Sequence, residues 1–155
     1  MKARIENHTH FSIRTIKRAV RWVLRELDLE DRPLRVVVKL TDMRYRMHHG
    51  RFNAYGPTIF AYIPELPSGG LVSKYKSGPP PFYPETWLEC LVCIIAHEAM
   101  HMRQFQKDRK GETYTRIRYG RQERVRGRRY SEPESEWAEY RLLRRWRAEN
   151  GNSEF

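Results

Sequence analysis

The chain has 155 residues, enough for one domain with a hydrophobic core, and carries a formal net charge of +11. No run of about 18 apolar residues is present, which argues against a membrane-spanning helix, and the first residues lack the apolar stretch of a secretory signal. Two cysteines three positions apart, Cys90 and Cys93, make no disulfide framework, so the expected location is cytoplasmic.

From Phe11 to Leu29 the apolar residues Phe11, Ile13, Ile16, Val20, Val23, Leu24 and Leu27 recur at helical spacing, with basic residues between them. Pro33 requires that helix to have ended. Leu34 to Leu40 is rich in β-branched residues and predicts a buried strand. A connection follows over 42–50. Arg51 to Tyr55 predicts a short strand and Thr58 to Ile63 a clearer one, with Gly56-Pro57 between them. The stretch 64–84, dense in proline and glycine, predicts a loop.

A helix is expected to start near Pro84-Glu85-Thr86, since proline and an acidic residue suit a first turn. Trp87 to Ala96 is apolar on several faces, so the helix should be buried. It contains His97-Glu98-Ala99-Met100-His101, the pattern H-E-x-x-H. Residues four apart share a helix face, so both imidazoles can reach one metal ion. Glu98 falls beside them, placed to take a proton from water. A surface helix with incidental histidines fits poorly, because a solvated face would not be so apolar. Cys90 and Cys93 also share roughly this face. Cys90 and His101, however, are eleven residues apart, about 16 Å along the axis, so one tetrahedral ion cannot gather all four. Both cysteines are expected to be small core residues.

Residues 108–131 form a basic segment, an expected insertion or loop. It holds Arg116, Arg118, Arg121, Arg124, Arg126, Arg128 and Arg129 with Tyr114, Tyr119 and Tyr130 among them. Arginine interleaved with tyrosine suits phosphate contacts and base stacking, which makes nucleic acid a candidate partner. A solvated loop is the plainer reading. Ser131-Glu132-Pro133-Glu134 then predicts a helix start, with serine at the cap. That helix should run to about Glu149 and end at Asn150-Gly151. Residues 1–150 are expected to form a single domain and 151–155 a tail.

A catalytic zinc usually takes three protein ligands and one water. The histidines are His8, His10, His48, His49, His97 and His101, and none follows the motif. The downstream candidates are therefore carboxylates. Glu132, Glu136, Glu139 and Tyr140 fall on one face of the last helix by the three-and-four rule. Glu136 is central on that face and is the expected ligand. Glu139 is expected to orient an imidazole, or to replace Glu136 as ligand. Glu132 is the remaining candidate, although glutamates in a first turn also simply favour the helix dipole.

On these residues the chain resembles the zincins, the zinc metallopeptidases that carry H-E-x-x-H, and with a glutamate as third ligand it is similar to the gluzincin type. The order of helix, strands, motif helix and glutamate-bearing helix fits. Small cytoplasmic SprT-like and ImmA-like proteins are the nearest comparison, although SprT-like proteins use a third histidine. Asn53-Ala54-Tyr55 resembles the Asn-Ala-aromatic edge strand of thermolysin-like enzymes, with Thr58 to Ile63 the rival for that role. The resemblance implies an α+β fold: a minimal zincin-like domain with an N-terminal helix, a small mixed sheet with an edge strand, the motif helix and a C-terminal glutamate helix. It also implies an extended peptide added to the edge strand.

The expected activity is peptide-bond hydrolysis, by an endopeptidase rather than an exopeptidase, with Zn²⁺ held by His97, His101 and Glu136 and with Glu98 as general base. A tyrosine or an arginine is expected to stabilise the oxyanion, with Tyr140, Tyr130 and Tyr114 as candidates. Two rivals remain at this level: a nucleic-acid-associated protein with restricted or no peptidase activity, and a structural zinc domain.

Overall fold

The computed structural model describes residues 3–42, 50–53, 56–107, 115–118, 121–124 and 131–150, with the backbone alone at 107, 115–118 and 121–124. In chain order the elements are β1 (Ala3–His8), α1 (Ile13–Glu26), β2 (Leu34–Thr41), β3 (Gly50–Asn53), β4 (Thr58–Pro64), α2 (Trp87–Lys107), β5 (Thr115–Arg118), β6 (Arg121–Arg124) and α3 (Glu132–Asn150). The fold is α+β, with three helices and a four-stranded mixed sheet among the described residues.

The sheet runs β1-β2-β4-β3, with β1, β2 and β4 parallel and β3 antiparallel to β4. Parallel neighbours need a crossover, and α1 supplies it between β1 and β2. Ser12 caps α1, its side chain accepting from the Thr15 amide at 3.3 Å. The helix ends before Asp28, which takes a left-handed φ of 59°, a conformation that aspartate tolerates better than most residues. Strand β1 was not expected from sequence. Strands β5 and β6 pair antiparallel inside the basic segment, where an insertion or loop was expected.

Ile16, Ala19, Val20, Val23 and Leu24 of α1 meet Val36, Val38, Ile59, Ala61 and Ile63 of the sheet in one core. Helix α2 packs against α1 and against strands β3 and β4, and α3 packs on α2. Because α2 has neighbours on both sides, Cys90 to Ala96 are all buried, which is why its sequence is apolar nearly all round. Cys90 and Cys93 are free core thiols, as expected. Burial, helped by Glu89 and Glu139, pushes Cys90 up to about 12.

One ion pair fixes how α3 lies on α2. Glu89, in the first turn of α2, accepts from Arg147 near the end of α3 at 2.7 and 2.9 Å, and Arg147 also donates to the carbonyl of Tyr83 at 2.7 Å. The start of α2 thus meets the end of α3. The two helices are antiparallel, so the start of α3 lies beside the second half of α2, where the histidines are.

Candidate metal centre

His97 and His101 turn their Nε2 atoms towards each other at 3.2 Å. Both imidazoles and Glu98 are buried or nearly so. Glu132, in the first turn of α3, closes the group: one carboxylate oxygen is 2.6 Å from His101 Nε2 and the other 3.5 Å from His97 Nε2. His97, His101 and Glu132 each offer an atom within 4.8 Å of the others, a set that could hold a metal ion.

The far side of each ring is held as well. His97 Nδ1 lies 2.8 Å from Glu139 Oε2, and Glu139 is fully buried. A carboxylate accepts, so Nδ1 carries a proton, and Nε2 is the ring atom that faces the shared point. His101 Nδ1 lies 2.9 Å from Gln104 Oε1 and 3.3 Å from Ser135 Oγ. The amide of Gln104 donates from Nε2 to the Ser131 carbonyl and to Glu134, at 2.9 and 3.0 Å, while its Oε1 also accepts from the Ser131 amide at 3.1 Å. These bonds fix which end of the Gln104 amide faces His101, and therefore that His101 too is protonated at Nδ1.

Burial alone would pull His97 down, but Glu139, Glu132 and Glu98 around it outweigh that and push it up to about 10. Without a metal, the pocket keeps a proton there. The carboxylates of Glu98, Glu132 and Glu139 give the cluster an excess of negative charge, which a cation would offset.

Glu136, the expected ligand, stands apart from this group. Its carboxylate accepts from Ser73 Oγ at 2.6 Å, in the connection between β4 and α2. The reason is helical phase. Glu132 and Glu139 are seven residues apart, about 20° short of two full turns, while Glu136 is displaced by about 40° from Glu132. The packing of α3 aims the first pair at the histidines of α2 and brings Glu136 to Ser73. Glu139, expected either to orient an imidazole or to serve as ligand, lies at His97 Nδ1.

Tyr140 turns to an aromatic row with Phe82 and Trp137, and its hydroxyl accepts from Arg144 at 3.0 Å. Tyr114 and Tyr130 lie outside the described residues, as do Arg126, Arg128 and Arg129. Arg116 and Arg118 are placed in β5, and Arg121 and Arg124 in β6, by backbone only.

Strand β3 is the edge of the sheet beside α2, and the rival β4 lies inside it, paired on both sides. Ala54 and Tyr55 lie outside the described residues. A Cβ added at Gly50 of β3 would come within 2.9 Å of Glu98 Oε1, so the edge strand passes directly over the glutamate of the motif. Gln104, Ser135 and Gly50 were not singled out from sequence. Gln104 had a signal, as a polar residue three after His101 on a buried helix face.

Comparison with family models, with curated proteins and with solved structures finds no match to this chain.

Proposed function

We propose that the chain is a zinc-dependent metallopeptidase, with His97, His101 and Glu132 as the metal ligands. The carrying observation is the pair of Nε2 atoms 3.2 Å apart, each on a ring whose Nδ1 is bonded to a side-chain oxygen. Two nitrogens at zinc-bond length in a tetrahedral arrangement stand about 3.3 Å apart, from Zn–N of about 2.0–2.1 Å. Nitrogen and carboxylate donors suit zinc, and three protein ligands leave a position for water.

When bound, the zinc supplies electrophilic activation of the water and of the scissile carbonyl. Glu98 takes the proton of the attacking water and delivers it to the leaving amine. Glu139 and Gln104 keep the imidazoles in the tautomer that binds metal. Strand β3 offers its edge to an extended peptide, whose backbone would then run past Glu98. Glu98 distinguishes this reading from a structural zinc site, which fills all four positions and needs no base.

The test is Glu98→Gln. Zinc content should stay near one per chain, while cleavage of an unfolded protein substrate falls by about 10²–10⁴-fold. Undiminished cleavage by this variant removes the reading.

A further inference from the structure

The sheet has two faces, and the site uses one. Val36, Val38, Ile59, Ala61 and Ile63 point into the core beneath α1 and α2. By the alternation of strands, Arg4 and Glu6 of β1, Arg35, Val37 and Lys39 of β2, Phe60 and Tyr62 of β4, and Arg51 of β3 belong to the opposite face. Among the described residues, no helix packs there.

The register lines these side chains up. Arg51 pairs with Phe60, Phe60 with Val37, and Tyr62 with Lys39. Val37 is buried but stands outside the hydrophobic core. Phe60 and Tyr62 are partly exposed, and Lys39 and Arg51 are exposed. The two rings are two residues apart on one strand, about 6.6 Å. The Arg51 guanidinium lies over the Phe60 ring at 4.5 Å, a cation–π contact that a base stacking on Phe60 would displace as Arg51 turns to a phosphate.

The charge is one-sided. Arg35 binds Glu6 through two hydrogen bonds of 2.8 and 3.0 Å, and Arg4 reaches the same carboxylate at 3.9 Å. No carboxylate among the described residues pairs with Lys39 or Arg51. Four cations therefore face one acid, on a chain of net charge +11. Stackable rings surrounded by cations complement a strand whose bases are unpaired and whose backbone is anionic. A duplex hides its base faces, and a membrane surface would call for protruding apolar side chains that this flat face lacks.

We propose that the sheet face opposite the helices binds single-stranded nucleic acid, with bases stacked on Phe60 and Tyr62 and phosphates against Arg51, Lys39 and Arg4. This surface is made of residues other than those of the arginine-rich segment and is independent of the chemistry at His97.

The test is fluorescence anisotropy of the full chain with labelled oligothymidine, oligouridine and a DNA duplex across a salt series. Single strands should bind more tightly than the duplex. Tyr62→Leu should weaken single-strand binding about tenfold, at the low end of what one stacked base contributes, with the salt slope unchanged. Tyr62→Phe should retain binding. Lys39→Gln with Arg51→Gln, at exposed positions that leave the fold intact, should flatten the slope of log affinity against log salt by about 1.4, from roughly 0.7 per phosphate contact. Replacing Arg121, Arg124, Arg126 and Arg128 by Ser should leave the Tyr62→Leu effect in place. Binding untouched by Tyr62→Leu and by the Lys39/Arg51 pair overturns the proposal. So does preference for the duplex, or binding that disappears with the four segment arginines alone.

Discussion

Gln104 joins the second histidine to the start of the glutamate helix: its Oε1 lies 2.9 Å from His101 Nδ1, and its Nε2 donates to the carbonyl of Ser131 at 2.9 Å. One buried side chain thus sets the orientation of His101 and the place where α3 begins, and with it the position of Glu132. Groups of this kind around a zinc site commonly contribute 10–100-fold in metal affinity.

Gln104→Leu should therefore weaken zinc binding by about 10–100-fold and lower thermal stability, since it leaves the Ser131 amide and carbonyl without this partner. Gln106→Leu, two residues further on, should do neither. Competition with a chromophoric chelator measures the first effect and thermal melting the second. Equal zinc affinity in wild type and Gln104→Leu would show that Gln104 only supports the fold.

The three glutamates of α3 should separate by role. Glu132→Ala should reduce zinc affinity most, as loss of a ligand. Glu139→Ala should have a smaller effect, because it frees His97 Nδ1 and leaves the proposed donor set intact. Glu136→Ala should leave zinc bound and disturb the contact with Ser73 instead. Zinc content after dialysis against a weak chelator ranks them. If Glu136→Ala empties the site and Glu132→Ala does not, the ligand assignment is wrong by one turn.

Zinc affinity should rise with pH. In the metal-free protein His97 is raised from 6.5 to about 10, because Glu139, Glu132 and Glu98 outweigh burial. A raised folded-state value means that the proton on His97 stabilises the metal-free fold fully below 6.5, and that this contribution is lost as pH rises through about 10. Zinc must displace that proton, so between pH 6.5 and 8 its affinity should rise about tenfold per unit. Glu139→Gln removes one raising charge and should flatten the dependence. A wild-type affinity constant over this range would contradict a protonated His97.

Much of this arrangement was legible in the sequence, and the losses have physical causes. Helices α1 and α2 and strand β2 carry periodicity or β-branched runs strong enough to read locally. Strand β1 has no such signal, since Arg4 and Glu6 interrupt its apolar residues and it exists through parallel pairing with β2, about 30 residues away. The pattern H-E-x-x-H fixed the histidines by spacing within one helix. The proposed third ligand lies on another helix, and its identity depends on how α3 is turned about its own axis. That rotation is set by Arg147 on Glu89 and by packing against α2, so no local pattern distinguishes Glu132 from Glu136. Glu139, fully buried, lies against His97 Nδ1 at 2.8 Å.

Gly50 offers a test of the link between edge strand and general base. A Cβ there would meet Glu98 Oε1 and Ile94 Cγ2, both at 2.9 Å, and Glu98 Cγ at 3.0 Å. Neither ring nitrogen of the histidines is among these nearest atoms. Gly50→Ala should therefore displace the Glu98 carboxylate or push the strand away from α2, while zinc content stays near that of the wild type. Because the proton transfer depends on Glu98 being within hydrogen-bond reach of the water, kcat should fall by about tenfold or more. Gly50→Val, with more volume at the same place, should be worse. Gly56→Ala is the control, because a Cβ there meets no atom within 4 Å, although its φ of 62° costs some stability. Metal analysis and cleavage kinetics on the three variants separate the outcomes. If Gly50→Ala lost zinc and activity together, the strand would be supporting the metal ligands; if it kept both, the edge strand would stand further from Glu98 than the structure places it.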